Sequence, residues 1–393
     1  MNKLIIKGRC KVKSINVAGV FLNINVNHYN LVNKGDLKKK WCELFIHSSH
    51  NVFLDWNWIS AWLSSFSVCP IVIEARCENK CVGLGLLCHS TQKMCFNLVS
   101  LEQLWLHKCG DAKLDQIWIE HNDFLLDKQL ESPVRAALLG YIATNVMHWD
   151  ELYLGMSSKI VVQNFEQTLG KPRTILSSPD FEVTLSHLDT IESYLSSLSK
   201  NTRSQITRSK KRLSALGNIK LHLAETESEK TDFFTHMSRL HQKKWRATTM
   251  GSGFDNPVFD NFHKHIIFSD LYNHYSGIYA LTLNGKPLSF IYILKTDHSW
   301  YFYLSGTAPH PDNKIKIGLL THTFLIEEAI IKGISTYSFL AGHARYKQSM
   351  SNNTDGIQEL VCFLKPSKLN WFLQKLRQLK SMSFLRLNKK KDK

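Results

Sequence analysis

Residues Ser299–Met350, SWYFYLSGTAPHPDNKIKIGLLTHTFLIEEAIIKGISTYSFLAGHARYKQSM, decide how this chain is read. Ser299–Gly306 is dense in aromatic residues and suits a buried strand. Thr307–Lys316 carries two prolines and no long apolar run, which makes it a loop. Ile317–Lys332 places Ile317, Leu320, Phe324 and Ile331 on one helical face, and Gly333 ends that helix. Ser335–Leu340 is a second strand, followed by Ala341–Met350 as a short helix. A strand that feeds a helix through a basic loop makes a place for phosphate, because the first turn of a helix offers unpaired N–H groups and a positive dipole end.

Working outward, Ser276–Leu283 and Pro287–Lys295 flank Asn284-Gly285, the preferred tight turn of a β-hairpin. The first half of the chain repeats this order. A hairpin (Ile71–Cys77 and Cys81–His89) is followed by a strand at Met94–Ser100. A helix then opens at Ser132-Pro133 and runs to about Met147, with Ser132 as N-cap. Glu151–Met156 is a strand and Ser158–Leu169 a short helix. The repeat is one of architecture more than of sequence. Gly170–Asp180 (GKPRTILSSPD), with a glycine and two prolines, is the expected boundary between two domains. The expected division is a basic lead-in over 1–40, domains over 41–175 and 180–365, and a basic amphipathic tail over 366–393. The fold class is α/β (mixed α+β): two tandem domains, each a mostly antiparallel twisted sheet flanked by helices. Only the second copy has a basic, glycine-containing loop before its helix, so it is the one expected to hold phosphate.

A chain of 393 residues with net charge +16 favours acidic partners. The last 29 residues, with ten Lys/Arg and one Asp, supply +9 of that charge. Leu369, Phe372, Leu376 and Leu379 share a face there, so the tail either lies on an anionic membrane or docks on its own domain. No apolar run is long enough to span a bilayer, and lysines interrupt the N-terminal apolar residues; a cytoplasmic location is expected, with the tail as a possible contact to the inner membrane face. The nine cysteines are an odd number, mostly in strand-like runs, and suit buried thiols. Cys77, Cys81, Cys88 and Cys95 lack the paired spacing of zinc ligands, and no metal is expected.

Three segments resemble a known family. Ser199–Arg203, continuing to Arg208 and Arg212, is like its basic helix. Leu240-His241-Gln242-Lys243-Lys244-Trp245, with Phe254 following, is like its "L-H…R-W…F" segment. Tyr337–Lys347 (YSFLAGHARYK) is like "D-F-L-x-G-D-x-x-Y-K". Residues from Trp41 to about Met350 thus resemble the bacterial acetyltransferases of the GNAT superfamily grouped with a cellulose-biosynthesis protein, relatives of the FemAB-like tandem-GNAT peptidyltransferases. Ser338 and His343 stand where that pattern favours acidic residues, and Met350 near where it has Trp.

The resemblance implies an acyltransferase that moves an acetyl or longer acyl group from acyl-CoA to an amine. The acceptor it suggests is an amino sugar or an intermediate of cell-surface polysaccharide assembly. It implies a pantetheine arm between two splayed strands, with Tyr303 and Leu304 beside it. Lys314, Lys316 and the N–H groups of Ile317, Gly318 and Leu319 would meet the phosphates. His343 is the candidate base, unless it is a surface histidine, and Tyr346 the candidate proton donor to the thiolate. Lys244, Trp245, Phe254, Gly342 and Lys347 are the candidate acceptor residues, although Trp245 equally suits a core helix end. The six basic residues of Lys200–Arg212 make either a solvated helix face or contacts to CoA phosphates or tRNA. Two alternatives follow: a Fem-like enzyme using aminoacyl-tRNA to extend cell-wall precursors, and a membrane-associated scaffold without catalysis.

Overall fold

The computed structural model describes residues 13–366, apart from 67–68, 95–98, 147, 247–250 and 271–272. The expected tail from Ser367 onward, the end of the helix at Met147, and Cys95 with most of the strand expected at Met94–Ser100 lie outside the described residues.

The first half contains β1 (Lys13–Val17), β2 (Val20–His28), α1 (Lys34–Ile46), α2 (Trp56–Ser65), β3 (Ile71–Cys77), β4 (Lys80–Met94), β5 (Val99–Leu106), β6 (Leu125–Leu126), α3 (Glu131–Asn145), β7 (Glu151–Ser158) and α4 (Lys159–Leu169). The second contains β8 (Arg173–Thr184), α5 (Ile191–Ser197), α6 (Lys200–Ser214), β9 (Ile219–Leu223), α7 (Glu227–Trp245), α8 (Pro257–Ser269), β10 (Ser276–Leu283), β11 (Lys286–Lys295), β12 (Ser299–Thr307), α9 (Ile317–Ile331), β13 (Thr336–Ala341), α10 (Arg345–Met350) and β14 (Asn353–Leu364).

Local chemistry accounts for most of these ends. Asn33 caps α1 by accepting from the N–H groups of Gly35 and Asp36, so this helix begins inside the stretch expected to be a lead-in. Asn284 and Gly285 both take positive φ, 50° and 78°, as the tight turn between β10 and β11 requires. Gly333 has φ 70° and ends α9. Helix α3 starts at Glu131, one residue before the expected cap, and Leu130 provides no side-chain cap. Pro133 then falls in the first turn, where an N–H has no intrahelical partner to lose. In α9 the buried face runs through Leu320, Leu325, Ile326 and Ala329, whereas Ile331 is 76% exposed, contrary to the expected apolar face.

Among the described residues the strands form one sheet in the order β1-β2-β3-β4-β5-β7-β14-β8-β13-β12-β11-β10-β9, with β6 on β4. The pairings are antiparallel except β5 with β7 and β12 with β13. The two halves therefore repeat one topology, and one strand of the second crosses to the first at the centre. β14 leaves the second half and pairs with β7 of the first, while its other edge pairs with β8, which in turn pairs with β13. The stretch expected to be a linker is thus mostly strand, in the middle of the sheet.

One core packs α3 and α4 on the first half and takes in Val361 and Phe363 of β14; another packs α5, α6 and α9 on the second. A third joins α1 and α2 to α7 and α8, with Trp58 and Phe262 in edge contact at 4.8 Å. No described helix is long and apolar enough to cross a membrane.

Candidate functional site

Strands β12 and β13 pair only over Ser299–Tyr301 and Thr336–Ser338. Beyond that point each is irregular. β12 carries a bulge at Tyr303, because Tyr292 pairs with Leu304 while Ile293 pairs with Phe302. β13 shifts register against β8 between Ser338 and Leu340, and Leu340 has φ 60°. A branched residue in the left-handed region is strained, and such strain concentrates at working sites. The strands part, and a cavity lies on each side of the gap.

The first cavity, about 360 Å³, is bounded by Lys316, Ile317, Gly318 and Leu319 at the start of α9, by Lys244 of α7 and by Tyr346 of α10. No side chain caps α9, so its first N–H groups face outward unsatisfied. A Cβ placed on Gly318 would meet nothing within 4 Å, which leaves this backbone open to a ligand. The preceding loop is held firmly. Buried Ser209 of α6 accepts from the Lys316 N–H at 2.9 Å and donates to the Lys314 carbonyl at 3.3 Å. Arg212 pairs with Asp312 at 2.6 Å. The Tyr346 ring stacks on His322 at 5.7 Å, and burial raises its phenol pKa, so the hydroxyl keeps its proton. His322 bonds the Tyr337 hydroxyl at 2.8 Å and is held neutral by burial, its pKa lowered to about 3.

The second cavity, about 630 Å³, lies where the halves meet. Its walls include Lys108, Trp118 and Glu120 from the first half, and Trp245, Tyr303, Leu304 and Lys347 from the second. Glu120 is buried; its Oε2 accepts from the Ala341 N–H at 2.8 Å and from the Gln358 amide at 3.0 Å. Burial raises its carboxyl pKa to about 7, with the positive charge of Lys347 opposing. The Lys347 ammonium donates to the Ala341 carbonyl at 2.7 Å, and burial lowers its pKa. His241 stacks on Trp245, bonds the Ser252 hydroxyl at 2.8 Å, and is lowered to about 4, chiefly by burial. Glu120, His121 and Asp180 bring ligand-type atoms within 4.8 Å of one another. The Gln358 amide and the field of Lys347 already serve this group, and we read it as a polar network.

The expected site residues divide between the two cavities. Lys316, Ile317, Gly318, Leu319 and Tyr346 come together at the first, as does Lys244, which was assigned to the acceptor. Trp245 and Lys347 line the second. Tyr303 and Leu304, assigned to the donor, line this second cavity, because the bulge in β12 turns them there. Four residues line neither, namely His343, Phe254, Lys314 and Gly342. His343 is exposed on the turn before α10. Phe254 is buried behind the second cavity against Phe234 and Phe259. Lys314 is exposed on the loop outside. Gly342 packs beneath Lys347, whose Nζ would lie 3.0 Å from an added Cβ. The residues that sequence reasoning missed are Glu120, Trp118 and Lys108, which sit in a stretch with no regular period.

The equivalent gap in the first half is filled by protein. Beyond the pairing of Trp105 with Tyr153, Asn122 enters between β5 and β7. Its N–H donates to the Met156 carbonyl at 2.8 Å and its amide to the Leu106 carbonyl at 2.9 Å, while His107 holds its oxygen at 2.9 Å. The first turn of α3 carries an acidic residue, Glu131, and Arg135 is committed to Asp123.

Residues 200–348 match the acetyltransferase (GNAT) domain family. No curated protein matches the chain. The crystal structure of FemX is similar in fold, with TM-score 0.55 and 10% identity over 86% of this chain and 98% of that one. So is the C-terminal domain (DUF2156) of a putative lysylphosphatidylglycerol synthetase from Agrobacterium fabrum, with TM-score 0.52 and 8% identity over 88% of this chain and 97% of that one.

Proposed function

We propose that this chain is an acyltransferase that takes an acetyl or longer acyl group from a CoA thioester in the first cavity and passes it to an amine in the second. The observation that carries this reading is the gap between β12 and β13, open in the second half alone, with the bare N-terminus of α9 at its mouth. The match of residues 200–348 to the GNAT domain supports it.

Lys316 and the N–H groups of Ile317, Gly318 and Leu319 hold the diphosphate, and Lys314 adds long-range attraction from the rim. The pantetheine arm runs through the gap and brings the thioester to the bulge at Tyr303 and Leu304, where backbone freed from the ladder polarises its carbonyl. The acceptor sits by Trp245 and Lys347 and attacks directly, with no covalent enzyme intermediate. Tyr346, which keeps its proton, supplies it to the departing thiolate. The family likeness suggests an amino sugar or a cell-surface polysaccharide intermediate as acceptor, handled on the cytoplasmic side, with the basic tail as a membrane contact.

A second reading has one observation in its favour. Helix α6 leaves Lys200, Arg208, Lys210 and Lys211 exposed, as a polyanion such as aminoacyl-tRNA would need. Thermal-shift titration separates the two. CoA, acetyl-CoA or a long-chain acyl-CoA raises Tm if the donor is a CoA thioester. The double change Lys314→Glu and Lys316→Glu then weakens that binding about tenfold or more. Unchanged affinity would mean that the phosphates bind elsewhere. Salt-sensitive tRNA binding with no response to CoA would favour the second reading.

A further inference from the structure

We propose that Glu120, delivered by the first half, is the catalytic residue that takes the proton from the acceptor amine at the second half's site. The inference rests on the acyl-transfer reading above.

Four observations carry it. Glu120 stands in the wall of the second cavity together with Lys347, which follows directly on Tyr346 of the first cavity. It therefore lies on the acceptor side of the strand gap. Second, the carboxylate is aimed. Its Oε2 is tied by the Ala341 N–H and the Gln358 amide, whereas Oε1 accepts no hydrogen bond among the described residues. Third, its place is fixed from both sides. The neighbouring His121 N–H donates to the Gln358 side chain at 3.0 Å, and the His121 carbonyl accepts from Asn51. The strained turn at Leu340 presents the Ala341 N–H that grips Oε2. Fourth, the segment that carries Glu120 continues into Asn122, which closes the first half's own strand gap. The same few residues thus shut one potential site and furnish the other.

The charged and titratable groups around Glu120 are Lys347 from α10, Asp180 from β8, His121 beside it and Tyr303 from β12, with Lys108 across the cavity. Burial dominates their sum and keeps the carboxyl near the pH where a base is most effective. In the step, the amine nitrogen bonds to the thioester carbonyl carbon and its proton passes to the Glu120 carboxylate. The C–S bond breaks, and the thiolate takes a proton from Tyr346. Water returns the Glu120 proton to the phenolate, so atoms and charge balance.

The test uses the full chain with acetyl-CoA and separate primary amines: a hexosamine, lysine and spermidine. Release of CoA thiol is followed from about pH 5.5 to 9 and CoA binding by thermal shift. The wild type is expected to release thiol with at least one amine, along an acid limb centred near pH 7, the value to which the carboxyl is raised. Glu120→Gln should cut that release about 100-fold or more and remove the limb while leaving the CoA-induced shift intact. Glu120→Asp, which keeps a carboxylate, should retain the limb and part of the rate. Release within about threefold of wild type in Glu120→Gln, or an unchanged limb, would overturn the proposal. So would a wild type that binds CoA yet releases no thiol with any of these amines. A wild type that fails to bind CoA overturns the acyl-CoA reading itself.

Discussion

Three buried histidines show what burial does to single residues here. His107, His263 and His322 are held neutral, with pKa values lowered from 6.5 to about 4, 3 and 3, in each case first by burial. Below pH 6.5 the unfolded chain binds protons at these positions that the folded chain refuses. Their contribution to stability is therefore complete above pH 6.5 and is lost as pH falls towards the folded values, by about 1.4 kcal/mol per histidine per pH unit. Glu120 works the other way between its ordinary value and about 7, because the folded state holds its proton more tightly, and it offsets part of this loss. Urea unfolding at pH 7 and pH 5 should show the midpoint falling at the lower pH; an equal or higher midpoint would mean that these imidazoles are not neutral in the fold. None of this was legible in the sequence, where the motif around Gly342–Lys347 drew attention to His343. That residue is exposed, while the carboxylate placed for proton transfer comes from Glu120, more than 200 positions earlier in the chain. The uncapped helix start at Lys316–Leu319 was legible, because a helix N-terminus after a basic loop is a local property. Glu120 was not, since only the packing of one half on the other brings it to the site.

Among the elements, β8 and β14 decide how the halves are joined. Hairpins, the two α/β repeats and the ends of α9 followed from periodicity and turn residues, which are local. β8 did not, because GKPRTILSSPD has the composition of a linker. Pro179 is tolerated inside this central strand at the edge of its pairing with β13, which begins at Asp180. β14 carries the converse lesson: the last described strand of the chain completes the core of the first half. Phe363 is 1% exposed and packs on Phe165 at 5.9 Å. Phe363→Ala should cost about 3–5 kcal/mol by urea denaturation. It should also lower hydrogen-exchange protection in α3 and α4. Loss of protection confined to the second half would contradict the crossing of β14 into the first.

At the scale of the whole molecule, two copies of one topology have been put to different uses. The first has its strand gap filled by Asn122 and an acidic residue at the head of α3. The second keeps its gap open, with a bare helix N-terminus beside it. Sequence comparison between the halves pointed to the second as the copy equipped for phosphate, and the filled gap supplies a steric reason why the first would not serve. The shared core, with Tyr275 of the second half donating to the Val52 carbonyl of the first at 2.8 Å, ties both to one body. The most direct measurement is isothermal titration of the full chain with CoA. One molecule bound per chain, with heat lost in the Lys314→Glu and Lys316→Glu double variant, is the predicted result. Two molecules per chain, or one that the double variant binds equally well, would contradict a single donor site at the head of α9.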